Sequence, residues 1–186
     1  PHSPNDNDEI DTPWMGLLTF YPDEIDENAD TITDTNKVLF PKKQITITQL
    51  LNPEEDNVMG PALDAAALGV SMDTKVAVID VDFATFQAIS PTIDELKFLA
   101  HGRSVNTGGK VMLGMDADGF FSLLMGNRLP QAGSDKTPAK NRVFAVSYEG
   151  HSEYLRGGKA PPKDLIRLVL LTSWSFKATA SVSSFL

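Results

Sequence analysis

The first 36 residues hold ten Asp and Glu and no Lys or Arg, whereas the remaining 150 hold 16 basic against 15 acidic residues. Essentially all of the net charge of −9 therefore belongs to one end of the chain. This asymmetry divides the sequence into an anionic N-terminal arm, residues 1–36, and a nearly neutral remainder, residues 37–186, expected to fold as one globular domain. Within the arm, residues 1–12 have the low hydrophobicity and high charge of a disordered end. Trp14 to Tyr21 is the exception. It is an apolar run bounded by Pro13 and Pro22 and reads as a strand, because aromatics favour extended backbone and prolines punctuate strand ends.

At 186 residues, with 41% apolar and 22% charged side chains, the chain is long enough to bury a core without disulfides or metal. It has no cysteine, which removes disulfides, thiol nucleophiles and thiolate metal sites together. No apolar run approaches the roughly 20 residues of a membrane span. No basic start leads into an apolar stretch, so a signal peptide is not expected either. The compartment is left open.

Lys37 to Phe40 and Gln44 to Thr48 read as short strands, residues 52–57 as a turn, and Pro61 to Leu68 as a short Ala-rich helix ending at Gly69. Lys75 to Val81 is a nearly continuous β-branched run, the pattern of a strand buried on both faces. Thr92 to His101 is the clearest helix, with Thr92 and Glu95 in capping-box spacing and Gly102 as its stop, followed by a loop over 102–110. Phe120 to Met125 and Arg142 to Tyr148 read as strands joined, as a hairpin, by the long polar connection 127–141. Leu165 to Phe176 reads as one long strand, since Leu168, Leu170, Trp174 and Phe176 alternate with Arg167, Ser173, Ser175 and Lys177. About eight strands with two or three short helices, without regular βα alternation, imply an α+β fold with a mixed or mostly antiparallel sheet.

Asp80 and Asp82 close the β-branched run. An apolar strand delivering two carboxylates at spacing two resembles, over about eight residues, the first motif of haloacid-dehalogenase-type phosphatases and the Asp-x-Asp of nucleotide-sugar transferases. That resemblance implies a divalent cation held beside a phosphate, with Asp80 as nucleophile in the phosphatase case. Phe83 and Ala84 depart from the phosphatase pattern, and the plainer reading is two acids at a strand end. Asp116 and Asp118 open with the spacing of a calcium loop, but its twelfth position is Asn127 where a Glu is required, and an ordinary turn explains them as well. Of the three histidines, His2, His101 and His151, the second reads as a helix C-terminal cap. Glu149, His151 and Glu153 would share a face if extended, but Gly150 favours a loop. No phosphate-binding glycine motif is present, and a pI near 4.7 disfavours nucleic acid.

One constellation remains. The connection 127–142 carries Arg128, Lys136, Lys140 and Arg142 against Asp135 alone, complementary in sign to the arm. Together with the apolar strand residues Trp14, Leu17, Leu18, Phe20 and Tyr21, which would dock on a neighbour's sheet edge, it points to a structural or interaction module. Such a module would self-assemble or join a larger complex, with protein as partner, no cofactor, and neither nucleic acid nor membrane. The alternative is a divalent-metal-dependent, phosphatase-like hydrolase using Asp80 and Asp82.

Overall fold

A computed structural model describes residues 13–39, 44–106, 118–160 and 162–180, with backbone only at 103–106 and 118–121. The architecture is sheet-rich α+β. Its main sheet runs β1 (Met15–Phe20), β9 (Ala139–Ser147), β10 (Leu165–Ala178), β6 (Val78–Asp82) and β2 (Val38–Leu39), with β4 (Val58–Met59) added to β10. All these pairings are antiparallel except β4 with β10. Two ribbons flank it: β3 (Ile45–Thr46) with β5 (Lys75–Val76), and β7 (Ala100–Asn106) with β8 (Asp118–Leu124). Among the described residues, no helix is long and apolar enough to cross a membrane.

β10 is the spine. Its 14 residues pair with β6 over Leu165 to Val169 and with β9 from Leu170 onward, and the register shifts between Leu170 and Thr172 where the partner changes. One extra residue there re-aims the strand. At Arg167, between the reach of β4 and that of β9, the ring of His151 stands in for a strand, its Nε2 lying 2.9 Å from the Arg167 carbonyl oxygen. A buried carbonyl left without a donor would be costly, and the imidazole supplies one.

The β-branched run is split at Ala77: Lys75–Val76 pair with β3 in the separate ribbon, and only Val78–Asp82 form the strand buried on both faces that the composition implies. Ile79 and Val81 face the main core, where α2 (Phe83–Ile89) inserts Phe83, Phe86 and Ile89, while Val78 faces a second cluster with Ile47 and Leu50. Successive side chains of a strand alternate faces, so both faces need cover. In the main core Phe20 packs edge-on against Phe144 with centroids 5.6 Å apart, and Phe86 meets Tyr148 at 6.2 Å. The capping box of α3 (Ile93–Leu99) is present as expected, Thr92 and Glu95 each bonding the other's backbone.

Several expected elements are corrected. Residues 61–68 are not helical: Asp64 accepts from the Ala66 N–H in a turn, and Ala65 to Ala67 are exposed. Helix propensity without an apolar stripe to bury does not hold a short helix. The strand expected over Gln44 to Thr48 stops at Thr46, which caps α1 (Ile47–Leu51) through a second capping box with Gln49. Gly102 does not end a helix in a loop; the chain passes from Leu99 into β7, with His101 as its second residue. β8 and β9 form no hairpin with each other, since β8 pairs with β7 and β9 lies between β1 and β10. The strands number about ten, in several sheets.

Candidate functional site

Three side chains of the basic connection meet the acidic segment inside one molecule. Arg128 forms a two-pronged pair with Glu24, at 2.7 and 2.8 Å, and donates to the Thr19 carbonyl at 3.0 Å. Its guanidinium lies over the Tyr21 ring, 3.5 Å from the centroid, and the Tyr21 hydroxyl donates to the Leu129 carbonyl. Planar stacking and a forked pair together demand Arg rather than Lys. Glu24 is placed by its own turn, its N–H donating to the Tyr21 carbonyl and its carboxylate accepting from the Tyr21 N–H. Burial works to raise the Glu24 carboxyl, but Arg128 and the Tyr21 N–H outweigh it and hold the group below its ordinary range. The Arg128 guanidinium, opposed by burial, is likewise raised by Glu24.

The loops on either side are pinned by two buried asparagines. Asn36 accepts from the Asp26 N–H and donates to the Thr31 carbonyl, both at 2.9 Å. Asn141 does the same for both backbone groups of Gln131, again at 2.9 Å. Each amide replaces the pairing a strand would give, so a long connection acquires a fixed shape.

Beyond this clasp the charge changes character. Glu27 lies 3.4 Å from Lys140 and 3.6 Å from Arg142 across a cleft of about 370 Å³ whose walls also include Ile25, Asp26 and Asn28. In the β9–β10 register Lys177 is directly opposite Lys140, and Ser175 opposite Arg142. Lys140, Arg142 and Lys177 therefore share one sheet face, with exposed Lys136 in the adjoining loop. Like charges directly opposite on a sheet repel.

The other residues singled out from the sequence are placed as follows. Leu18 and Phe20 are wholly buried and β1 pairs with β9 along its full length, so this strand belongs to its own sheet, at the end of the strand order. Leu17 is half-buried in the same strand, and Trp14 is 44% exposed just before it. Asp80 is opposite Arg167 in the β6–β10 register and is gripped by it through two contacts of 2.7 Å, with Glu55 3.3 Å from the same guanidinium. Burial opposes the charge on Arg167, yet Asp80 and Glu55 raise its pKa. Asp82 caps α2, accepting from the N–H and hydroxyl of Thr85. Both Asp80 oxygens thus accept from Arg167, whereas Asp82 is engaged through one oxygen. Asp116 lies outside the described residues, as does the Asp118 side chain and the whole of His2. Among the described residues, no group of three or more His, Asp or Glu side chains converges to hold a metal ion.

Sequence reasoning missed Glu24 and Glu27 as specific partners, because 104 and 113 residues separate them from Arg128 and Lys140. It also passed over Lys177, whose place opposite Lys140 depends on strand register. Arg167 carried a readable signal: a charge inside an apolar strand needs a partner. Comparison with known proteins finds no family model that matches the chain, no similar curated protein and no similar solved structure.

Proposed function

We infer that the protein is an interaction module that self-assembles or docks on a larger complex through the cationic end of the β9–β10 ribbon. One observation carries this reading. Lys140, Arg142 and Lys177 share a face, Lys136 adjoins them, and Glu27 pairs with Lys140 and Arg142. Two lysines held directly opposite each other favour an anionic occupant, and charged surfaces of this kind set partner choice and association rate. The clasp of Arg128, Glu24 and Tyr21 is the internal part of the device: it fixes the acidic segment beside the ribbon and leaves the lysines outermost. The chain supplies acidic sequence of its own in residues 1–12, with four Asp and Glu and no Lys or Arg, so a second copy is a fitting partner.

The test is native mass by light scattering over protein concentration and salt, with the triple variant Lys136→Glu, Lys140→Glu and Lys177→Glu beside the parent. The reading expects an assembly that dissociates as salt rises and that the variant, still folding cooperatively in thermal unfolding, does not form. If no assembly forms on its own, an acidic peptide of sequence 1–12 should bind the parent and not the variant. A salt-indifferent monomer that ignores this peptide overturns the reading.

A further inference from the structure

His151 is 1% exposed, and its neighbourhood is the second place where the molecule concentrates polar chemistry. Gly150, at φ +73°, turns the chain immediately after β9, and the 3₁₀ turn Ser152–Tyr154 carries Glu153 away to pair with Lys159. Glu149 and His151 thus stay together while Glu153 leaves them. Both line a cleft of about 130 Å³ with Ser147, Trp14, Leu63 and Val169.

The hydrogen-bond ledger of this cleft is one-sided. A carbonyl oxygen accepts only, so the 2.9 Å contact to Arg167 makes Nε2 the protonated nitrogen of His151. Nδ1 is then a bare acceptor, and it is buried with no partner among the described residues. The Ser147 oxygen accepts from the Glu149 N–H, and among the described residues the Glu149 carboxylate, on an exposed residue, has one long 3.4 Å contact, from the Ser147 hydroxyl. Carboxylate, imidazole nitrogen and hydroxyl oxygen all offer lone pairs. Trp14 adds a half-exposed indole face, which favours a cation. Burial also keeps the imidazole neutral, lowering its pKa to about 4, so the ring does not repel positive charge at neutral pH.

We propose that the cleft bounded by Trp14, Ser147, Glu149 and His151 binds an organic cation, a primary ammonium or guanidinium group on a short apolar stem. The ammonium donates to Glu149, the stem lies along Leu63 and Val169, and the charge rests against the Trp14 ring. The size of the cleft admits a group such as the end of a Lys or Arg side chain and excludes larger rings. This site is distinct from the basic ribbon and opposite to it in the charge of its ligand, so it stands independently of the function proposed above.

Titration of the full chain with n-butylammonium chloride, followed by calorimetry and by tryptophan fluorescence, tests it. Saturable binding is expected at neutral pH, with n-butanol and butyrate at least about tenfold weaker because they lack the charge-assisted bond. Glu149→Gln, an exposed substitution that leaves the fold intact, should weaken butylammonium by about tenfold, and Trp14→Leu should weaken it further. A peptide with blocked ends and one internal Lys separates the sources. Tighter binding of the peptide than of butylammonium assigns the site to a partner protein's side chain, and the reverse assigns it to a free amine. Equal response to butylammonium and butanol, or unchanged affinity in Glu149→Gln, overturns the proposal.

Discussion

At the scale of single residues, buried charges and rings explain more of this molecule than its exposed ones. Arg167 is 6% exposed and Asp80 neutralises it from the neighbouring strand. Asp80→Asn should cost about 3 kcal/mol in urea unfolding, because an uncompensated buried cation is left with only the half-exposed Glu55. Replacing both partners, Asp80→Val with Arg167→Leu, should recover most of that loss. Recovery in the pair identifies Asp80 as a structural counter-charge, whereas the hydrolase alternative expects Asp80→Asn to keep stability and lose activity. His151 makes stability depend on pH. Its native pKa of about 4 lies below the unfolded value near 6.5, so the unfolded chain takes up a proton the native ring refuses. The contribution is whole above about pH 6.5 and is lost as pH falls toward 4, amounting to about 2 kcal/mol between pH 7 and pH 5. His151→Gln should flatten that slope when unfolding is compared at the two pH values.

At the scale of elements, legibility followed whether an element's reason lay within its own residues. The part of the β-branched run that forms β6 was readable because both its faces are buried, and α3 because Thr92 and Glu95 announce it. The capping box Thr46 with Gln49 was equally present but hidden by the alternation of Ile45 and Ile47. Pro61 to Leu68 had helix punctuation with nothing to pack, and tertiary context decided against it. The charged residues of the basic connection were visible as a group, yet the clasp they form with Glu24 required the fold to bring distant segments together. Close approach is another property no local pattern reveals. A Cβ on Gly16 would stand 2.5 Å from the Tyr148 ring, so β1 can lie against that side chain only with glycine there. Gly16→Ala should cost about 2 kcal/mol by forcing the ring aside, measured as a lowered midpoint in thermal unfolding.

At the scale of the whole molecule, the α+β class was readable from the count and spacing of strands, whereas the order of strands was not, since β1 joins β9 across more than 120 residues. The segment expected to be an acidic arm is divided by this pairing: its apolar strand belongs to the main sheet, and residues 21–36 are held to the basic connection by Glu24 through Arg128 and by Glu27 through Lys140. β10 carries the largest consequence. The backbone pairing of β1 and β9 reaches that of β6 and β2 through this one strand, and the change of partner falls beside the ring of His151. A sheet joined in this way resembles two panels on a common rail. Amide hydrogen exchange should find the slowest protons on both panels, with a faster notch on the rail from Leu170 to Thr172, where opening separates neighbours without unfolding either.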